Sequence, residues 1–213
     1  PSVIKSAKNN WLFMYFTCLP TKYTSDFSKH EVHFASSTDG KTWWHHGKIL
    51  SSSVGVWSPS AVNIGGKLFV YFHTGILPSL VYRQQLSWNG WEKVGGSVLV
   101  SLPKIGGSHN ALNVDLAVNG SKVTMVANDL SVRNVVRYES TDSGKSFKRA
   151  SHDSSFLIYA APTYWALTPH QEWVSQSEYR IYFGWDTTNE FVPGVGYAPL
   201  HSESIHQWGF RNK

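Results

Sequence analysis

The chain has 213 residues and a formal net charge of +5; 15% of its residues are charged and another 15% are aromatic. Such an aromatic chain is not disordered, and its basic residues are scattered rather than clustered into a nucleic-acid footprint. No stretch approaches the roughly 20 apolar residues of a membrane span, and the lone Cys18 allows neither an internal disulfide nor a cysteine-based metal site.

Four β-branched or aromatic runs recur along the chain at a nearly constant spacing. Their centres are 56, 55 and 56 residues apart, at Tyr15, Tyr71, Val126 and Tyr182. Each run alternates in the way that a strand does. A matching short segment precedes each of them, at 1–4, 59–62, 114–117 and 162–165. A period of this length indicates that one structural unit is repeated.

Tight turns follow three of these runs. Asp39-Gly40 and Asn89-Gly90 are hairpin signals, because Gly accepts a positive φ and the Asp or Asn side chain bonds the backbone of its own turn. Ser140-x-Asp142-x-Gly144-x-Ser146-Phe147 fits the Asp-box pattern, in which the carboxylate staples the hairpin and the aromatic ring enters the blade. We expect these motifs to mark the fold rather than the chemistry.

Each repeat therefore contains about four strands, and no amphipathic helix of convincing length is visible. Four-stranded units at this period predict an all-β fold, a β-propeller in one domain over 1–213. Its recognisable blade repeats are placed at approximately 1–50, 57–100, 110–150 and 158–213. Because the chain opens at Pro1 in the middle of a motif, we expect a further N-terminal segment, and a blade number of four or five stays open.

Asp115 is the unusual residue of the repeat. The alignment of the repeats makes it equivalent to Ser2, Ser60 and Thr163, at the start of each innermost strand. Those strand starts surround the axis of a propeller, so the four polar side chains are expected to converge on one funnel. A charge there is costly unless it is paired or functional. We therefore predict that Asp115 is catalytic and that the other three bind substrate; an internal hydrogen-bonding role is the alternative.

Other residues flank the same positions. Trp57 and Trp185 could stack on sugar rings, although packing between the blades is an equally good reading. His109 precedes Asp115, and Asp186 follows the fourth run. His73, Asp129 and Glu190 are weaker candidates, each more typical of a solvated loop. His45-His46 lacks partners at metal-ligand spacing, so we predict no metal and no cofactor.

Three short motifs carry a resemblance to a known family: residues 1–5, Trp57-Ser58-Pro59-Ser60 and Asn113-Val114-Asp115. The chain resembles the five-bladed β-propeller glycoside hydrolases of the arabinanase, xylosidase and arabinofuranosidase type, related to the fructosidases. The resemblance implies a base or nucleophile Asp immediately before Pro1 and an orienting Asp at Asp115. It also implies a blade-two Asp where Ser60 stands and a general acid where Ala160 stands.

This resemblance predicts an enzyme that hydrolyses O-glycosidic bonds in a furanoside or pyranoside glycan, with an oligo- or polysaccharide as its partner. Hydrolysis needs two carboxyl groups, and Ala160 cannot donate a proton, so the acid would come from Glu139, Asp186 or Glu190. The alternative is a propeller that binds a glycan without cleaving it, or that has a structural or interaction role. We set aside a sialidase site, because the chain has only six arginines. The lone cysteine leaves the compartment open between an extracellular location, which we favour, and a cytosolic one.

Overall fold

The computed structural model describes residues 1–19, 26–75, 78–103, 111–129, 134–150, 165–173, 178–186 and 206–211. Nearly all of the regular structure in these ranges is β. Their helical content is a single 3₁₀ turn, Phe27–Lys29, and none of it is long and apolar enough to cross a membrane.

The first two sheets are four-stranded and antiparallel, with their strands in chain order. The first sheet contains β1 (Ser2–Lys5), β2 (Leu12–Cys18), β3 (Glu31–Ser37) and β4 (Trp44–Leu50). The second contains β5 (Val56–Ile64), β6 (Lys67–Thr74), β7 (Leu80–Leu86) and β8 (Val98–Leu99).

The other two described sheets repeat this arrangement. The third sheet is again four-stranded, with β9 (Ala111–Asn119), β10 (Lys122–Asp129), β11 (Asn134–Ser140) and β12 (Lys148–Arg149). The fourth has three strands in the described residues, β13 (Trp165–Trp173), β14 (Glu178–Asp186) and β15 (His206–Arg211). Each predicted run forms the second strand of its sheet, and the fold is the predicted β-propeller.

Strand β6 shows how the sheets pack against one another. Because successive side chains of a strand point to opposite faces, Val70 and Phe72 enter a core shared with the first sheet, whereas Phe69 and Tyr71 enter a core shared with the third. Both faces are therefore buried, and the strand reads as a continuous apolar run. Each large side chain removed from water in this way contributes roughly 1.5–3 kcal/mol.

A buried tyrosine on the second strand of the first sheet, and another on the second strand of the second sheet, join each of these sheets to the next. The Tyr15 hydroxyl donates to the Gly90 carbonyl oxygen at 2.8 Å, and the Tyr71 hydroxyl donates to the Gly144 carbonyl oxygen at 2.9 Å. Both tyrosines are fully buried, and burial raises the pKa of each phenol. The hairpin turn of one sheet is thus fixed by the central strand of the sheet before it.

The turn that contains Gly144 is held by Asp142. Its carboxylate accepts hydrogen bonds from the Lys145 and Ser146 amides at 3.0 and 2.9 Å and from both flanking serine hydroxyls. Burial by itself raises the pKa of Asp142, but these hydrogen bonds outweigh it and lower the pKa to about 2. Phe147 follows the turn and is buried in the core between the second and third sheets.

Gly144→Ala tests whether this junction between sheets tolerates a side chain. Gly144 has φ of +76°, and a Cβ there would lie 2.0 Å from the Tyr71 hydroxyl oxygen. Positive φ and overpacking together should lower the free energy of unfolding by roughly 2–4 kcal/mol. Gly120→Ala is the matched control, since its φ is +59° but the space around it is open; it should cost about 1 kcal/mol. Urea unfolding midpoints compare the two, and equal losses would contradict the packing argument.

Candidate functional site

The first strands of the four sheets lie side by side, because β1 contacts β5, β5 contacts β9 and β9 contacts β13. In each first strand one residue pairs with the centre of the neighbouring second strand. These four residues, called the ring positions below, are Ser2 opposite Tyr15, Ser60 opposite Tyr71, Asp115 opposite Val126 and His170 opposite Tyr182.

Three of the ring positions hold a backbone amide of the next sheet. Ser2 Oγ accepts from the Ala61 amide at 3.0 Å, and Ser60 Oγ accepts from the Leu116 amide at 2.9 Å. In the same way Asp115 Oδ2 accepts from the Gln171 amide at 2.8 Å. Every donor is the residue directly after the next ring position. A buried amide needs such a partner, so the ring positions join one sheet to the next.

Asp115 has the richest surroundings of the four. Its Oδ1 accepts from the Ser60 hydroxyl at 3.0 Å, while its Oδ2, already bonded to the Gln171 amide, lies 3.2 Å from His170 Nδ1. The Asp115 side chain is 14% exposed and that of His170 is 64% exposed. The Gln171 side chain, which is buried, donates to the carbonyl oxygens of Asp115 and Thr124. The carboxylate is therefore fixed from three directions and reaches solvent beside the imidazole.

Two strained residues lie two positions before Ser60 and Asp115. Ser58 and Asn113 have φ of +47° and +49°, which non-glycine residues seldom adopt. The pairing of β5 and of β9 shifts at these points, as in a β-bulge. Ser58 Oγ donates to Asn113 Oδ1 at 2.7 Å, and Asn113 Nδ2 donates to Asn128 Oδ1 at 3.3 Å. Backbone strain of this kind is concentrated at functional sites, and here it aims two polar side chains at each other across adjacent sheets.

The predicted site residues are only partly brought together. Ser2, Ser60 and Asp115 occupy ring positions, as the repeat alignment proposed. The fourth position differs, because the register places His170 opposite Tyr182, whereas the alignment had placed Thr163 there. Thr163, His109 and Ala160 lie outside the described residues.

Trp57 is less open than a stacking platform requires. It is 5% exposed, and its ring stacks on His30 with centroids 4.0 Å apart and on Phe27 at 5.2 Å. Its burial matches the packing alternative. Trp185 and Asp186 lie at the end of β14, opposite Ala166 and Trp165 in the register, and their backbone alone is described.

Neither Glu139 nor Asp129 occupies a ring position, and Glu190 lies outside the described residues. Glu139 sits on β11, and its Oε1 is 2.8 Å from both Lys122 Nζ and Arg137 Nη2, so it is occupied by ion pairs. Asp129, at the end of β10, is buried. Within the described ranges, no three His, Cys, Asp or Glu side chains come together in an arrangement that could hold a metal ion.

Four residues of the site escaped the sequence reasoning: Ser58, Asn113, His170 and Gln171. One signal could have found His170, since Ser60, Asp115 and His170 follow one another at a constant spacing of 55. The alignment of the fourth repeat relied instead on the Pro162 segment. Asn113 is of a residue type that adopts positive φ more often than most, but the residue type of Ser58 gives no such signal.

The sheets and the ring at their centre define a β-propeller of the kind found in glycoside hydrolases. No protein-family model matches this sequence, and no curated protein is significantly similar to it. Among solved structures, a thermostable family-43 glycoside hydrolase matches with a TM-score of 0.67 at 12% identity, over 85% of this chain and 64% of that one.

Two further solved structures match in the same way. An α-L-arabinofuranosidase from Lactobacillus brevis has a TM-score of 0.66 at 11% identity, over 95% of this chain and 69% of that one. An α-L-arabinanase from Cellvibrio cellulosa, complexed with arabinohexaose, has a TM-score of 0.63 at 7% identity, over 86% of this chain and 67% of that one. The chain thus spans 64% to 69% of the length of these proteins. At such identities the likeness shows the fold alone.

Asp115 and Ser60 should be coupled in stability if the ring joins the sheets. Asp115→Ala leaves the Gln171 amide and the Ser60 hydroxyl without their acceptor, which should lower the free energy of unfolding by roughly 3 kcal/mol. Because the two side chains are bonded, the Ser60→Ala and Asp115→Ala losses should deviate from additivity by about 1 kcal/mol. The control pair Ser60→Ala with Glu139→Ala should be additive. Additive losses in the ring pair would contradict the coupling.

His73 should make stability depend on pH. Its side chain is buried, its Nε2 has no hydrogen-bond partner among the described residues, and burial lowers its pKa to about 4. The unfolded chain takes up a proton near pH 6.5 that the folded chain takes up only near 4. The contribution of the neutral His73 to the free energy of unfolding is therefore fully present above pH 6.5. The free energy of unfolding should fall by roughly 3 kcal/mol as the pH drops to 4. Urea unfolding of His73→Gln should show most of this slope removed, and the exposed control His46→Gln should retain it. A slope unchanged in His73→Gln would refute the assignment.

Proposed function

We propose that this chain is a carbohydrate-active propeller that binds an oligo- or polysaccharide at its ring positions. The observation that carries the proposal is the Asp115 carboxylate, which is fixed by Ser60 and Gln171 and faces solvent beside the exposed His170. Sugar hydroxyls both donate and accept hydrogen bonds. A preorganised carboxylate next to an imidazole offers them an acceptor and a second polar group in fixed geometry.

Ser58 and Asn113, the strained residues next to the ring positions, form a second part of the site. The half-buried Ser58 carries a hydroxyl that is oriented by its bond to the buried Asn113, and the Asn113 amide is held in turn by Asn128. Uncharged groups of this kind suit a neutral sugar, because they select hydroxyl positions without demanding a counter-charge. The shared fold supports the same class of ligand, since the arabinanase structure that matches this chain is a complex with arabinohexaose.

Hydrolysis of an O-glycosidic bond is the second candidate, favoured by a carboxylate at the centre of a fold shared with glycoside hydrolases. In that reaction water adds to the anomeric carbon, the bond to the leaving oxygen breaks, and an acid protonates that oxygen. Asp115 would orient the sugar or tune the acid, which would come from Asp186 or Glu190. Asp115 is the one carboxylate among the described side chains of the ring, so binding is the function that these residues support more directly.

Calorimetric titration with arabinohexaose and with β-1,3-linked galactotriose tests the proposal. Asp115→Asn removes the charge at nearly constant volume and should weaken binding at least about tenfold, as expected for a lost charge-assisted hydrogen bond. Glu139→Gln removes a carboxylate outside the ring and should leave the affinity unchanged. Thermal melts identify the temperature at which all the proteins are folded.

The same samples distinguish binding from hydrolysis. Release of reducing sugar that falls by about 100-fold in Asp115→Asn would establish hydrolysis, given what one positioned acid or base group contributes. Binding without release would establish a glycan-binding propeller. Folded protein that neither binds nor cleaves these sugars or a wider panel of neutral polysaccharides would overturn both functions.

A further inference from the structure

A concave surface lies at the hairpin turns, away from the ring positions. It is a groove of about 170 Å³ between the β1–β2 turn and the β5–β6 turn, closed on one side by the turn after β7. Ser2 and Ser60 lie three and four residues before the ends of β1 and β5, which is roughly 10–13 Å along an extended strand. None of the ring positions lines this groove, so it is a separate site.

The groove is lined by positive charge without compensation. Lys5, Lys8 and Lys67 are all exposed and line it together, and its lining contains no acidic residue from the part of the chain that the structure describes. None of the three takes part in an ion pair with the residues that the structure describes. Cations gathered in a concave surface without acidic neighbours raise the local concentration of anions.

An exposed tryptophan forms one side of the groove. Trp88 follows β7 and is 63% exposed, more than any other large hydrophobic side chain among the described residues. An exposed, flat aromatic face is able to stack on a sugar ring. Asn63 and Gln85 also line the groove and supply amide groups. A flat face, neighbouring amides and three ammonium groups are complementary to a ring-shaped ligand that carries hydroxyls and a negative charge.

We propose that this groove binds an acidic polysaccharide, whose sugar ring stacks on Trp88 while its carboxylate or sulfate groups contact Lys5, Lys8 and Lys67. The site is independent of the ring positions and does not require hydrolysis there. It holds a charged glycan at the turn end of the propeller.

Calorimetric titration with three hexasaccharides tests this assignment: oligogalacturonate, a sulfated galactan fragment and neutral arabinohexaose. The two acidic probes distinguish a carboxylate from a sulfate as the preferred anion. Trp88→Ala and the triple variant Lys5→Gln, Lys8→Gln, Lys67→Gln should each weaken the acidic probes by about tenfold or more. The triple variant Lys41→Gln, Lys145→Gln, Lys148→Gln makes the same change in net charge at exposed lysines outside the groove and should change affinity less than twofold.

Further measurements separate this site from the ring and from other anions. Asp115→Asn should leave the affinity for the acidic probes unchanged even where it weakens arabinohexaose. Equal losses of affinity in the two triple lysine variants would overturn the assignment of the groove, because net charge alone would then explain binding. The assignment also fails if Trp88→Ala binds as the unchanged protein does. If single-stranded DNA or phosphatidylserine vesicles bind more tightly than either acidic glycan, the acidic polysaccharide is not the ligand of the groove.

Discussion

A backbone amide of β5, of β9 and of β13 depends on a side chain from the sheet before it. Ser2 holds the Ala61 amide, Ser60 the Leu116 amide and Asp115 the Gln171 amide. Each amide lies where two sheets meet and water has little access, so it needs an acceptor. The acceptor must come from one position of the preceding strand, which sets how the sheets are staggered around the axis. The tyrosine-to-turn bonds fix the same sheets further from the axis.

Because of this requirement, the side-chain atoms that join the sheets are also the atoms of the candidate site. Ser60 satisfies it with a hydroxyl, whereas Asp115 satisfies it with a charge and has a second oxygen that the Ser60 hydroxyl occupies. The carboxylate is thereby held before any ligand arrives, and His170 lies beside it at the solvent side. A binding group held in this way loses little conformational freedom when a ligand binds.

The sheets could be read from the sequence because the signals are local. Alternation identifies β2, β6, β10 and β14, and turn chemistry identifies the hairpins that follow. The equivalence of Ser2, Ser60 and Asp115 could also be found, since each stands at a similar distance from its apolar run. The predictions that failed depend on contacts between distant residues or on backbone conformation. Trp57 is covered by Phe27 and His30, which are distant in sequence, and the irregular pairing of β13 before His170 hid the fourth ring position.

In the three bonds by which a ring position holds the next sheet, the donor is a backbone amide, and this has a consequence for how such a protein can diversify. An amide is present whatever residue other than proline occupies its position, so a replacement at one ring position leaves intact the bond between the preceding sheet and the amide that follows that position. The four ring residues already differ, as two serines, an aspartate and a histidine. Selection can therefore exchange the chemistry at the axis one sheet at a time, provided that each new side chain still offers an acceptor to the amide of the next sheet.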